Sequence, residues 1–151
     1  MTPHVLSSND RRYPPRPLLG VGALIIEDGR ILLIERGKEP LKGYWSLPGG
    51  LLEVGERLAD AIRREVFEET ELQIEPTGIH EIFERIIPDS NGNPEYHYVL
   101  IDYLCRVTGG RLQASSDASN AAWVSQQSLG EYRLTEGTLA VIERAFANLQ
   151  R

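Results

Sequence analysis

Apolar residues run unbroken through Val21-Gly22-Ala23-Leu24-Ile25-Ile26 and again through Ile31-Leu32-Leu33-Ile34, with Glu27-Asp28-Gly29-Arg30 between them. Asp-Gly supplies the positive backbone angles of a tight hairpin, so the spacing predicts two paired antiparallel strands. Continuous rather than alternating apolar character predicts burial on both faces, with helices covering the sheet. The stretch 56–70 contains neither Gly nor Pro and repeats its apolar residues with helical period, which predicts the first helix. Further strands are expected at 72–74, 79–87, 96–107 and 121–124, divided by turn signals at Asn91-Gly92-Asn93 and Gly109-Gly110. The segment 135–149 places Leu139, Ile142, Ala145, Phe146 and Leu149 on one side of an amphipathic closing helix. Strands interrupted by one helix and closed by another predict an α/β fold, a mixed sheet with helices on its faces. Residues 1–17, polar and proline-bearing, read as an extended arm ahead of a domain spanning 18–151.

On a helical wheel of about 100° per residue, Leu58, Ala61, Ile62 and Val66 share one side of the first helix, which must face the core. Glu65 and Glu69 fall in the middle of that side and Glu68 at its edge, while Asp60, Arg63 and Phe67 point away. Carboxylates turned toward a core are costly unless paired, protonated or bound to a cation. Two readings follow. A hard divalent ion prefers carboxylate oxygen and would relieve both the burial and the mutual repulsion; a salt-bridge network with Arg63, Arg64 or a distant basic partner would do the same. Gly49-Gly50, ahead of the helix, lets backbone carbonyls approach a ligand closely.

Gly50, Glu56, Arg64, Glu65, Val66, Glu68, Glu69 and Leu72 stand at the spacings of the Nudix box, G-x5-E-x7-R-E-U-x-E-E-x-G-U with U a bulky aliphatic residue, and the chain resembles the Nudix hydrolase family. Glu71 departs from the pattern, standing where the box has its last glycine, which puts the helix end in question and leaves the carboxylates in place. The resemblance implies a Nudix-like α/β/α sandwich and metal-dependent hydrolysis of a phosphoanhydride bond. It implies Glu65, Glu68 and Glu69 as ligands of two or more Mg²⁺ ions, with Mn²⁺ as the alternative, assisted by a carbonyl near Gly49 or Gly50. Arg64 and Glu56 would form an orienting ion pair. Many members carry a further acidic residue outside the box, and Asp117 is the candidate, with Glu53 as its rival. Arg36, beside Lys38 and Lys42, is placed to grip phosphate. A stacking aromatic is expected among Tyr44, Trp45, Phe83, Tyr96 and Tyr98, with Trp45 and Tyr98 taken as substrate-binding.

The run Gly43–Gly50 with His97-Tyr98-Val99 is similar to the ADP-ribose pyrophosphatase branch, and Pro88 to a proline that marks some of its members. ADP-ribose or a nucleotide sugar is therefore the first expected substrate. Oxidised or ordinary nucleoside triphosphates come next. A non-catalytic nucleotide sensor is the alternative from another class, and it would predict erosion of carboxylates that are all present here.

Composition narrows the partners. A length of 151 residues suits one domain, and a formal charge of −6 opposes broad attachment to nucleic acid or anionic membrane. No run approaches the roughly 18 apolar residues of a membrane span, so a soluble cytoplasmic protein is expected. Cys105, the single cysteine, forms no internal disulfide and reads as a packed thiol; His97 and Trp123 read as structural. Phe67, on the outward side of the helix, offers a surface for a homodimer.

Overall fold

The computed structural model describes residues 11–149. Along the chain the elements are β1 (Leu18–Glu27), β2 (Arg30–Arg36), β3 (Trp45–Ser46), β4 (Gly49–Leu51), α1 (Leu58–Thr70), β5 (Leu72–Pro88), β6 (Pro94–Gly110), β7 (Ala118–Ser125) and α2 (Thr138–Leu149). The β1–β2 hairpin turns through Asp28 (φ 52°) and Gly29 (φ 76°), the two positive angles that Asp-Gly was expected to supply.

The sheet is mixed. β1 pairs in parallel with β6 from Leu18↔Tyr98 to Ile25↔Cys105, β6 is antiparallel to β5, and β7 is antiparallel to β2. Two strands expected separately at 72–74 and 79–87 form one, because register shifts at Gln73/Ile74, Pro76/Gly78 and Ile79/Glu81 accommodate Pro76 and Gly78 without ending the ladder. The stretch read as a loop before the first helix holds β3 and β4, each too short to carry a period. β4 lies antiparallel on β1, with Gly22 opposite Gly49 and Gly20 opposite Leu51. α2 starts later than the expected residue 135 because Gly137 takes a left-handed φ of 83°, which interrupts helical geometry.

Strand parity divides the core. Val21, Ala23 and Ile25 of β1 and Leu32 of β2 cluster with Ala61, Ile62 and Val66 of α1. Leu24, Ile31 and Leu33 cluster with Val141, Ile142, Ala145 and Phe146 of α2. Consecutive hairpin residues therefore serve opposite faces, which is why their apolar runs are unbroken and why the fold is an α/β/α sandwich. Cys105 is packed in the α1-side cluster, and burial pushes its thiol up to about 12. Trp123 is half-buried against the same cluster. Phe67 is 50% exposed.

Part of the expected N-terminal arm is attached to the domain. The Tyr13 N–H donates to Glu95 O at 2.7 Å, its hydroxyl to Asp89 Oδ2 at 2.8 Å, and Arg12 Nε to Glu95 Oε2 at 2.7 Å. The remainder of the arm, 1–10, lies outside the described residues. Among the described residues no helix is long and apolar enough to cross a membrane.

α1 ends where the box places its glycine, with Glu71 in that glycine's conformation: φ is 60° and ψ 14°, and its N–H donates to Phe67 O at 2.9 Å. A Cβ in the left-handed region costs up to about 1 kcal/mol, partly offset because glycine gives the unfolded chain more freedom. Glu71→Gly is expected to raise the urea midpoint with an unchanged slope; a lower midpoint would show that the Glu71 side chain stabilises the terminus.

Candidate active site

Three carboxylates at i, i+3 and i+4 of α1 present a gradient of burial. Glu69 is 5% exposed, Glu65 is half-buried and Glu68 exposed. The Gly49 N–H of β4 donates to Glu69 Oε1 at 2.7 Å. At Gly50 a Cβ would collide with the Glu65 carboxylate, so glycine leaves that carboxylate its place against β4. Burial raises the Glu69 carboxyl well above the ordinary range; the Gly49 N–H opposes this and repulsion from Glu65 adds to it. Glu65 is also raised, chiefly by burial, with Arg64 opposing.

Arg64 does more than pair with Glu56. Its Nε and Nη2 donate to the two Glu56 oxygens at 2.6 and 2.9 Å, and Nη2 also reaches Leu51 O at 3.2 Å. Nη1 donates to Glu65 Oε1 at 2.8 Å and to Glu68 Oε2 at 3.3 Å. The bond to Glu56, more than any other contact, holds the guanidinium in its charged form. Of the two sequence readings of the inward carboxylates, the salt-bridge network is seen at Glu65 and Glu68 through Arg64, while among the described residues Glu69 accepts a backbone N–H and no basic side chain.

Among the described residues no three His, Cys, Asp or Glu side chains stand already gathered as a cation cage. The donor set nonetheless suits a hard divalent ion, being carboxylate oxygen throughout, with two members burdened by desolvation. Such an ion would compete with Arg64 for Glu65 and Glu68.

These groups border a groove of about 670 Å³ whose charged lining includes Arg36, Glu53, Glu65, Glu69 and Asp117. Asp117 is brought there because the Ser115 N–H donates to Glu69 O at 3.0 Å, tying its loop to the end of α1. Its carboxylate pairs with Lys38 Nζ at 2.8 Å. Glu53, the rival, sits 3.8 Å from Arg64 Nη1. Arg36 is half-buried, donates Nε to Pro40 O at 2.7 Å, and has its pKa lowered by desolvation. Lys42 is exposed and borders neither hollow.

A second hollow, about 90 Å³, shares Arg36, Gly49, Gly50 and Leu51 with the groove and includes Tyr98 and Phe83 in its wall. Tyr98, expected to touch substrate, is buried there. Trp45, also expected to touch substrate, packs edge-on against Tyr132, ring centroids 5.0 Å apart at 82°, and lines neither of these two hollows. Its neighbour Tyr44 lies under Arg133 at 4.0 Å, and Tyr96 stacks on Tyr98 at 6.3 Å.

Sequence reasoning missed Asp102 and Arg85, which also line the smaller hollow. The available signal was Asp102 itself, a lone charge inside Tyr98-Val99-Leu100-Ile101-Asp102-Tyr103-Leu104. It is 4% exposed, and its carboxyl is pushed up to about 7 by burial first and Glu81 second, with Arg85 opposing.

Residues 16–145 match the family model described as the NUDIX domain. The chain is similar to an ADP-ribose pyrophosphatase of Methanocaldococcus jannaschii, 35% identical over 75% of this chain and 64% of that protein. It is similar to an 8-oxo-dGDP phosphatase of Homo sapiens, 30% identical over 94% of this chain and 45% of that protein. It therefore spans less than two thirds of either relative. Among solved structures, a MutT NUDIX hydrolase from Burkholderia pseudomallei superposes with a TM-score of 0.75 at 31% identity, covering 85% of this chain and 98% of that one.

Proposed function

Because the chain belongs to the NUDIX domain family, we propose that it hydrolyses a phosphoanhydride bond of a nucleoside diphosphate or its derivative, with Mg²⁺ or Mn²⁺ held by Glu65, Glu68 and Glu69 and a carbonyl at Gly49 or Gly50. The observation that carries this reading is Glu69, nearly buried against Gly49 with no basic side chain among the described residues bonded to it. Bound there, two or more divalent ions supply charge neutralisation along the diphosphate and a lower pKa for an attacking water.

The chain's own groups do the rest. Arg64 binds Glu56 and Leu51 O and so ties the 51–56 loop to α1. Arg36, between the two hollows, donates to phosphate oxygens. Asp117 accepts the proton of the attacking water as its oxygen bonds to phosphorus; the bridging oxygen departs with the bonding electrons and is protonated. Two phosphate-ended fragments result.

ADP-ribose or a nucleotide sugar, the first expectation from sequence, draws support from the archaeal relative. A nucleotide with a guanine-type base, as in the human relative's substrate, is favoured by the buried carboxyl of Asp102 beside the phosphate groove. The sensor reading is opposed by the intact carboxylates. A panel of nucleoside diphosphates, triphosphates and nucleotide sugars, assayed for product with Mg²⁺, Mn²⁺ or EDTA, tests the proposal. Turnover of at least one compound, abolished by EDTA and restored by Mg²⁺, is expected; tight binding with no turnover of any would favour the sensor.

A further inference from the structure

Arg11 precedes residues 16–145, the part of the chain that matches the family model, yet it lines both the carboxylate groove and the smaller hollow. The segment that carries it is clamped at three points to the end of the β5–β6 hairpin. The Tyr13 N–H donates to Glu95 O at 2.7 Å, its hydroxyl to Asp89 Oδ2 at 2.8 Å, and Arg12 Nε to Glu95 Oε2 at 2.7 Å. Asp89 is itself fixed, since its Oδ1 accepts from the Asn91 and Asn93 N–H groups, each at 2.9 Å. Tyr13 holds a left-handed φ of 49°, which residues with a Cβ rarely adopt and which persists where surrounding contacts enforce it.

Arg11 Nε is buried with no hydrogen-bond partner among the described residues, as are Arg85 Nε and the Tyr98 hydroxyl, and all three residues line the smaller hollow. A guanidinium only donates and a phenol is able to, so the unmet groups are donors, each costly while unsatisfied. Arg36 stands with Arg11 on the wall shared by hollow and groove. Among the described residues no carboxylate forms an ion pair with Arg11, Arg36 or Arg85. Burial lowers the Arg36 pKa, and repulsion by Arg11 adds to it. Cations crowded in this way are relieved by an anion that accepts from them.

We propose that Arg11 is a substrate-contacting residue supplied from outside the family domain: held by the Tyr13 and Arg12 clamp, it donates together with Arg36 to phosphate oxygens of a nucleoside diphosphate. The groove calls for both signs of charge. Glu65, Glu68 and Glu69 want a cation, Arg11 and Arg36 an anion, and a diphosphate carrying its divalent ion satisfies both. Tyr13 touches no substrate and acts through Arg11, as a positioning residue. That the anion is a substrate diphosphate rests on the hydrolase reading; that Arg11 binds an anion does not.

The test uses methylenediphosphonate, whose P–C–P bridge resists hydrolysis, with Mg²⁺, and reads calorimetric Kd for the parent, Arg11→Ala, Arg11→Lys, Tyr13→Phe and Arg16→Ala. Arg11→Ala is expected to weaken binding about 10- to 100-fold, the scale of a charge-assisted hydrogen bond. Arg11→Lys should recover part of the loss, because the charge remains while the fork of donors is gone. Tyr13→Phe should weaken binding about 3- to 10-fold and have no further effect in an Arg11→Ala background. Arg16→Ala removes the same charge from an exposed position lining neither hollow, and should leave Kd unmoved. No binding by the parent, an unmoved Arg11→Ala, or an equal loss in Arg16→Ala overturns the proposal; a full Tyr13→Phe effect without Arg11 overturns the part given to the clamp. On any nucleotide that is turned over, the Arg11→Ala loss is expected in KM rather than kcat. If none is turned over while these binding differences hold, the hydrolase reading fails alone.

Discussion

Glu69→Gln is expected to lower kcat about 1,000-fold in Mg²⁺ while making the metal-free protein more stable at pH 8. The first effect follows from losing a ligand whose charge would anchor the cation, where several kcal/mol of transition-state stabilisation is at stake at 1.36 kcal/mol per tenfold. The second follows from linkage. The folded-state pKa of Glu69 is raised by burial, so the folded protein binds the proton more tightly than the unfolded chain does. Stability from this group is greatest below the unfolded pKa, near 4.5, and declines as pH rises toward the folded value. Gln cannot ionise, keeps a carbonyl for the Gly49 N–H, and removes that decline. Adding Mg²⁺ should then raise the Tm of the parent and leave the variant nearly unmoved. Steady-state kinetics and thermal melts at pH 5 and 8, with EDTA or Mg²⁺, check all three. Equal kcat for variant and parent, or equal Mg²⁺ shifts, would remove Glu69 from the cation site.

Arg64→Ala is expected to destabilise the protein by about 2–3 kcal/mol, below the 3–5 kcal/mol of breaking a fully buried pair because the guanidinium is partly exposed. The loss reaches beyond Glu56. It frees Leu51 O and leaves Glu65 and Glu68 to repel each other without a cation between them. The Glu56 carboxyl is held below its ordinary pKa, first by the Arg64 bond, so the pair's contribution is full above the unfolded pKa near 4.5 and is lost as pH falls through the lower folded value. The gap between parent and variant should therefore shrink in acid. Urea unfolding at pH 7 and pH 3, with a double-mutant cycle including Glu56→Ala, measures it; a coupling below about 0.5 kcal/mol would reduce the pair to an ordinary surface contact.

The readable features were local or periodic. Asp28-Gly29 specified its turn, and two unbroken apolar runs implied a strand pair covered on both faces. The 3.6-residue period by itself places Glu65 and Glu69 inward. Pro76 and Gly78, by contrast, suggested an end to a strand that bulges carried through, and β3 and β4 were too short to show a period. The resemblance implied an ion pair of Arg64 with Glu56, not that its five donors would be shared among Glu56, Glu65, Glu68 and the Leu51 carbonyl.

By itself, then, the sequence determined the hairpin, the box helix and the inward turn of its carboxylates, because each depends on backbone angles and on residues within a few positions of one another. Only the tertiary structure decided which residues line the two hollows. Parallel pairing of β1 with β6 sets Gly22 beside Asp102, eighty positions along the chain, and long β5 brings Arg85 to the same hollow, while Trp45 turns away to pack on Tyr132. Register between distant strands is settled by burial of both faces at once, and that sum over the whole core is carried by no single stretch of residues.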